Sequence, residues 1–516
     1  MNPTRPSIVN VINFIRGVEP REHVDLYEPV HEQLKLLAEH NLTGTFLLQY
    51  DALIDTKFVD MLRSTPHEIG AWIEIVQPLC EAAGIAWRGR FPWDWHSHVG
   101  FTVGYTPAER ELLIDKYMEM FHATFDYYPK SAGSWLIDAH TLQYLSTKYG
   151  VIASCNCKDQ WGTDGYTLWG GYYGQAYYPS KGNAYAPAQS VENQIDIPIF
   201  KMLGSDPVYQ YDAGLSLEDG AAGWQHVITL EPVYVKGGGG GNAVWTDWFF
   251  ENVMSNSACL TFRYAQAGQE NSFGWRAMES GLRYQFELMS KMCAEGTLLV
   301  EPLAKSAENF RKFYPVTPNS AITALSDWKS EERKSIWFNS CRYRANLYGH
   351  GSKFWFRDIT LFDDGYTERY LNTTCQSHEM TYDNLPIIDG NRWSGSGIRA
   401  GGYLMSGDNE VEVTDTSVIE DNTDLVVTLT TQSGNITIRF SNKSIKITTD
   451  IADFSIQLRW GKSVELDTMK IEEKRLKLTH EGFDYSLLLS CGLFDSARKQ
   501  ILCENGEIVI EFEAAV

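Results

Sequence analysis

The stretch SAGSWLIDAHTLQYL, residues 131–145, runs a short apolar segment into an aspartate and a histidine and then takes up helical spacing. A buried strand that passes to a helix through an acid is the join of a β/α unit. Asp138 has two readings there. It is a helix cap, accepting first-turn N–H groups, or, where several strands end together, a reactive group at the mouth of a cleft. Helical periodicity precedes it in PAERELLIDKYMEMFHATF (107–125) and recurs in LYEPVHEQLKLLAEH (26–40) and GWRAMESGLRYQFELMSKMCAEG (274–296). Apolar runs of strand length lie at 8–15, 44–50, 68–76, 131–137, 151–155, 196–203, 226–233 and 259–265. That count, with no Gly-rich phosphate loop after the first strand, predicts an α/β fold with a (β/α)7-type, distorted TIM-like barrel over residues 1–315.

Beyond about residue 330 the pattern changes to alternating strands separated by turns, as in DLVVTLTTQSGNITIRFSNKSIKITTDI. An antiparallel β-sandwich over 336–516, joined by a linker at 316–335, is the expectation. The run GGGGG at 237–241 reads as a flexible loop near the barrel mouth and lacks the Lys-Ser/Thr of a phosphate loop. With 516 residues, 43% of them apolar, the chain has ample material for a large core. Its 44 Lys+Arg against 66 Asp+Glu give a net charge of −22, which repels phosphate backbones and anionic lipid, so neither nucleic acid nor membrane is expected as a partner. No apolar run approaches the roughly 18 residues of a membrane helix, and none forms a secretory leader. The nine cysteines are odd in number and scattered, which suits reduced thiols in a cytoplasmic protein. The sequence is compatible with a homo-oligomer.

Reacting groups of a (β/α) barrel stand at the C-terminal ends of its strands, because only there do several strands converge on one cleft. Applying this rule selects Arg16 and Glu19, Gln49 and Asp51, Trp72 and Glu74, Asp138 and His140, Asp159, Asp206, Glu231, and the QAGQENSFGW turn with Gln269, Glu270, Asn271 and Trp275. Carboxylates dominate, and no serine or cysteine sits in an elbow context. Glycosidic chemistry needs two carboxyl groups, one to attack or activate water and one to protonate the leaving oxygen. The segment KDQWGTDGYTLWGGYYGQAYYPSKGN (158–183) interleaves Trp161, Trp169 and Tyr177 with other aromatics and glycine, as a sugar-binding cleft would. A competing reading is metal-dependent: Asp94, His96 and His98 in WDWHSHVGF with a further ligand from elsewhere. Without that metal, His96 and His98 become cleft histidines.

GTFLLQYDAL (44–53), HEIG (67–70) and the run TPAERELLIDKYMEMFHATFDYYPKSAGSWLIDAHTLQYLSTKYGV (106–151) together resemble the barrel of the polysaccharide deacetylase superfamily and its relatives among glycoside hydrolase families 38 and 57. The deacetylases follow HEIG with histidine metal ligands where this chain has Trp72 and Val76, and end their first strand in paired aspartates where it has RGVE. GSWLIDAHT resembles the strand end that carries the family 38 nucleophile, which would fall on Asp138; the family 57 pair would fall on Asp138 and Glu270. The resemblance implies a metal-independent glycoside hydrolase acting on short oligosaccharides or glycosides, without a cofactor. Asp138 is then nucleophile, Glu270 acid/base, and Glu74, Glu19 and Glu231 are reserves. Arg16, Asp51, Trp72, His140, Gln269, Asn271 and Trp275 bind substrate or orient the acids. The alternatives are a metal-dependent carbohydrate deacetylase and a noncatalytic carbohydrate-binding protein.

Overall fold

Nine consecutive buried residues, SIVNVINFI, form strand β1 (Ser7–Ile15), which is covered on both faces and so carries almost no polar alternation. The computed structural model describes residues 7–512 except 164, 219, 222–224, 256, 383 and 462–465. The elements that position the site are β1, α1 (Tyr27–Glu39), β2 (Thr45–Leu48), β3 (Glu68–Trp72), α2 (Pro107–Phe125), β4 (Ala132–Gly133), α3 (Ala139–Tyr149), β5 (Ser154–Asn156), β6 (Ile199–Lys201), β7 (Arg263–Ala267) and α4 (Trp275–Ala294). Thr106 and Glu109 close a reciprocal cap at the start of α2, and Pro107 fills its first turn.

Parallel ladders run in the order β7-β1-β2-β3-β4. A bridge between Ser131 and Ala153 carries the run on to β5, which pairs in parallel with β6. Among the described residues no ladder joins β6 to β7, so a closed hydrogen-bonded barrel is not formed. The reason lies in 226–233, expected as a strand. Thr229 makes a single bridge to Ser205, after which Pro232 and a turn end the extended run. The gap is spanned by the Leu230 N–H donating to the Leu203 carbonyl and the Leu203 N–H donating to Oε1 of Gln266. The glycine run is also not a loose loop. A Cβ on Gly240 would stand 2.1 Å from the Leu230 carbonyl oxygen, and Gly239 has φ of +126°, so the backbone there is packed where side chains do not fit.

The C-terminal part consists of antiparallel sheets of ten and eight strands that share an apolar core including Phe338, Phe356, Ile438, Phe440 and Ile510. Gly434–Phe440 alternates buried with partly exposed residues, as a sheet with one covered face must. The stretch 316–335, read as a linker, holds a strand, Ser320–Ala324, whose five residues are all buried and pair with Arg333–Asn339. The aromatic segment after β5 joins the two parts. Tyr166–Leu168 pairs in parallel with Met380–Tyr382, Tyr173 stacks on Trp337 with centroids 3.7 Å apart, and the Trp169 indole donates to Asp389 at 2.9 Å. Arg344, fully buried, pairs with Asp159 and Asp358 beneath it. No helix among the described residues is long and apolar enough to cross a membrane.

Candidate active site

Arg16 follows the last residue of β1, and its main chain is clamped by Asn271. The Asn271 Oδ1 accepts the Arg16 N–H at 2.9 Å, while Nδ2 donates to the Arg16 carbonyl at 2.9 Å. So fixed, the guanidinium reaches acids delivered by two other strand ends. Nη2 lies 3.2 Å from Oε1 of Glu74, just past β3, and 3.2 Å from Oε2 of Glu270, just past β7. Gln49, following β2, donates to the second oxygen of Glu74 at 2.6 Å, and the Ser272 hydroxyl donates to Glu270 at 2.6 Å. Trp93 covers the guanidinium face at 4.0 Å, and Arg21 stacks on the same indole at 4.7 Å. Glu19 stands 3.8 Å from Arg16 but is paired at 2.8 Å with Arg21.

Glu231 belongs to the same group. Its oxygens accept from Thr229 at 2.8 Å and from the Gln269 amide at 3.3 Å, next to Glu270 in the chain. Burial pushes the Glu231 carboxyl up to about 7; the Thr229 and Gln269 hydrogen bonds and the Lys158 ammonium oppose that rise, and the Glu270 charge adds to it. Glu74, with no exposed surface, is likewise pushed up to about 7, first by burial and then by Glu270, against the pull of Arg16. The charges explain the pattern. With Glu19 covered by Arg21, a single guanidinium serves Glu74 and Glu270, and a buried pair of carboxylates sharing one cation favours retaining a proton. The cluster therefore offers acids that titrate near neutrality beside a carboxylate held by Arg16 and Ser272.

Asp138 lies in a different setting. It caps α3, accepting the Thr141 N–H at 2.9 Å and the Thr141 hydroxyl at 2.7 Å, and it binds the Thr102 hydroxyl at 2.5 Å and the Arg110 guanidinium at 2.9 Å. Arg110 and Asp138 have no exposed surface, and none of their hydrogen bonds among the described residues goes to Arg16, Glu74, Glu231 or Glu270. Asp51 accepts the Gly17 and Ala52 N–H groups and supports the loop after β1; burial pushes it up to about 6. His140 faces Glu111 at the surface at 3.1 Å. Trp72 packs on Phe14 and Trp135 beneath Glu74, with centroids 4.2 and 5.4 Å away. Trp275 is buried at the start of α4. Trp169 and Tyr177 are buried in the join to the C-terminal sheets, and Trp161 packs edge-on against Trp169. Trp93, Lys158, Thr229 and Ser272 were not selected from the sequence. Lys158, directly after the buried CNC run, carried the one usable signal: a lysine at a strand end.

The residues present do not fit a metal at Asp94, His96 and His98. Asp94 is taken by Arg90 at 2.9 Å, and the rings of His96 and His98 stack face to face with His378. Among the described residues no three His, Cys, Asp or Glu side chains converge as metal ligands. No protein-family model matches the chain, and no curated protein matches it. Among solved structures, the chain is similar to a Parabacteroides distasonis protein that carries the provisional name glycoside hydrolase/deacetylase, at 15% identity and TM-score 0.53, covering 74% of this chain and 92% of that one. A Mycobacterium smegmatis protein provisionally named polysaccharide deacetylase (13% identity, TM-score 0.34, 62% and 94% covered) and an allantoinase (12%, 0.36, 61% and 96%) also match. At these identities the first likeness is one of fold, and it places the chain in a distant structural relationship with glycoside hydrolase/deacetylase-like proteins.

Proposed function

We propose that the chain is a cytoplasmic glycoside hydrolase on a (β/α)7-type scaffold, cleaving short oligosaccharides or glycosides with two carboxyl groups and no metal. The observation that carries this reading is the convergence of Glu74 and Glu270, from two strand ends, on Arg16, with Glu231 joined to the group through Gln269, and with Glu74 and Glu231 poised near neutrality. Glu231, outside the Arg16 ion pairs, is the acid that protonates the leaving oxygen. Glu270 attacks the anomeric carbon or activates water. Glu74, fixed by Arg16 and Gln49, holds the guanidinium in place. Oxygens of Glu74 and Glu270 share one Arg16 nitrogen at 3.2 Å each, so they lie no more than twice that distance apart. The stereochemical outcome follows from the separation of Glu231 and Glu270, about 5–5.5 Å for retention and about 6.5–9.5 Å for inversion. Trp93 covers the Arg16 side of the cluster.

The test is turnover of a panel of aryl glycosides and oligosaccharides by the native protein and by Glu270→Ala, Glu231→Gln and Asp138→Asn. Loss of about 10²–10⁴-fold in the two glutamate variants, with azide restoring Glu270→Ala, supports the reading. Full turnover in both glutamate variants would sink it. Binding of oligosaccharides without cleavage by the native protein transfers the site to a noncatalytic carbohydrate-binding protein.

A further inference from the structure

Behind the carboxylate cluster, between β5, β6, β7 and the first C-terminal strand, lies an internal cavity of about 20 Å³. Two lysines line it, Lys158 and Lys201, each almost wholly buried. Among the described residues neither has a carboxylate within ion-pair distance of its ammonium. Lys158 donates to the Asp159 carbonyl at 3.2 Å, and Lys201 donates to the Cys157 carbonyl at 3.2 Å. The phenol groups of Tyr173 and Tyr264 and the amide oxygen of Gln175 line the same cavity, and all three are buried polar atoms without a hydrogen-bond partner. Asp159 is engaged elsewhere, by Arg344 and by the Gly170 N–H at 3.2 Å.

We infer that this cavity is a binding site for a small monovalent anion of halide size. Each ammonium carries three N–H donors and uses one on a carbonyl, and two phenol O–H groups add to the surplus. The side-chain acceptors of the cavity include the Gln175 oxygen, whose amide can turn its NH2 inward, the Ser205 and Ser257 hydroxyls and the Asp159 carboxylate, which Arg344 and the Gly170 N–H already engage; Arg263, held by the Ser257 carbonyl, adds a third cation to the lining. A water molecule supplies two lone pairs but also brings two donors into a space already rich in them. A monatomic anion accepts from every side and compensates the buried positive charge. The volume suits it, since about 10–15 Å³ holds one water. Burial pulls the Lys201 ammonium down to about 8 against the pull of Asp159, and an anion beside it opposes that fall. Lys158 faces both this cavity and Glu231, so occupancy also sets how firmly Glu231 holds its proton.

Bromide replaces chloride in such a site and is visible by its anomalous scattering. Crystals of the full chain grown in sodium bromide are expected to show an anomalous peak among Lys201, Tyr173 and Tyr264. In solution at fixed ionic strength and pH 7.5, 0.2 M chloride is expected to raise the thermal midpoint by about 1–3 °C over gluconate. That difference vanishes in Lys201→Met. In Tyr264→Phe, which removes a single hydroxyl, the chloride concentration giving half the effect rises several-fold. Bromide found only at the surface, with water in the cavity, overturns the inference. So does a chloride effect of equal size in the native protein and in whichever of the two variants folds.

Discussion

Asp138→Asn separates a structural carboxylate from a reacting one. The substitution keeps the helix cap, because Asn and Asp are equivalent at that position. It removes the anion facing the fully buried Arg110. Breaking such a pair costs about 3–5 kcal/mol. Arg110 retains the carbonyls of Thr102, Tyr105, Tyr370 and Thr373, so the loss falls at the lower end, about 3 kcal/mol. Glu368, which accepts the Ala139 and Ala184 N–H groups, adds a pH signature. Its carboxyl is pushed up to about 8, first by burial and then by the charge of Asp138. An acid with a raised pKa in the folded protein stabilises it fully below its ordinary carboxylate value, and that contribution is lost as pH climbs through about 8. Removing the Asp138 charge lowers Glu368 and shrinks this contribution, so the variant's deficit is larger at pH 5.5 than at pH 9. Urea unfolding followed by tryptophan fluorescence at the two pH values reads both effects. A loss under about 1 kcal/mol, accompanied by abolished turnover, refutes the structural assignment and returns Asp138 to the chemistry.

In Glu231→Gln the descending limb of the pH–rate profile, expected near 7 because the acid must be protonated, disappears, and a limb that persists unchanged assigns it to another group. Arg16→Met strips Glu74 and Glu270 of their shared cation; stability falls by about 3–5 kcal/mol at pH 8 and by less at pH 5, where Glu74, pushed up by burial to about 7, holds its proton, as urea midpoints measured at both pH values will report. Gly240→Ala forces a methyl against the Leu230 carbonyl and lowers stability by about 1–3 kcal/mol, read as a drop in thermal midpoint; an unchanged midpoint contradicts the packed reading of the glycine run.

Long periodic helices were legible almost to the residue. Residues 107–125 are helical as read, and 27–39 and 275–294 fall within the stretches assigned. Strand lengths were not. The run 131–137 yields a two-residue strand and one bridging residue, because its apolar character continues through a turn that is itself buried. Looking at strand ends brought out Arg16, Glu74, Glu231, Gln269 and Glu270, which meet in space. Asp138 obeys the same rule, yet its partners Arg110 and Thr102 lie 28 and 36 residues away and nothing in the local pattern announces them. The aromatic segment illustrates a second limit. Tyr, Trp and Gly in mixture describe a sugar cleft and an interface between sheets equally well, and Trp169 and Tyr173 are committed to the latter by Asp389 and Trp337. Composition does not say on which side of a loop another part of the chain will stand.

The parallel pairing of Tyr166–Leu168 with Met380–Tyr382 has a consequence for how the protein is made. The partner strand is synthesised more than two hundred residues later. Until then the emerging N-terminal part keeps a sheet edge and a band of aromatic side chains open to solvent. During translation that surface is an aggregation hazard, and it closes only when much of the second part has left the ribosome. Cutting the chain after residue 315 would make the exposure permanent.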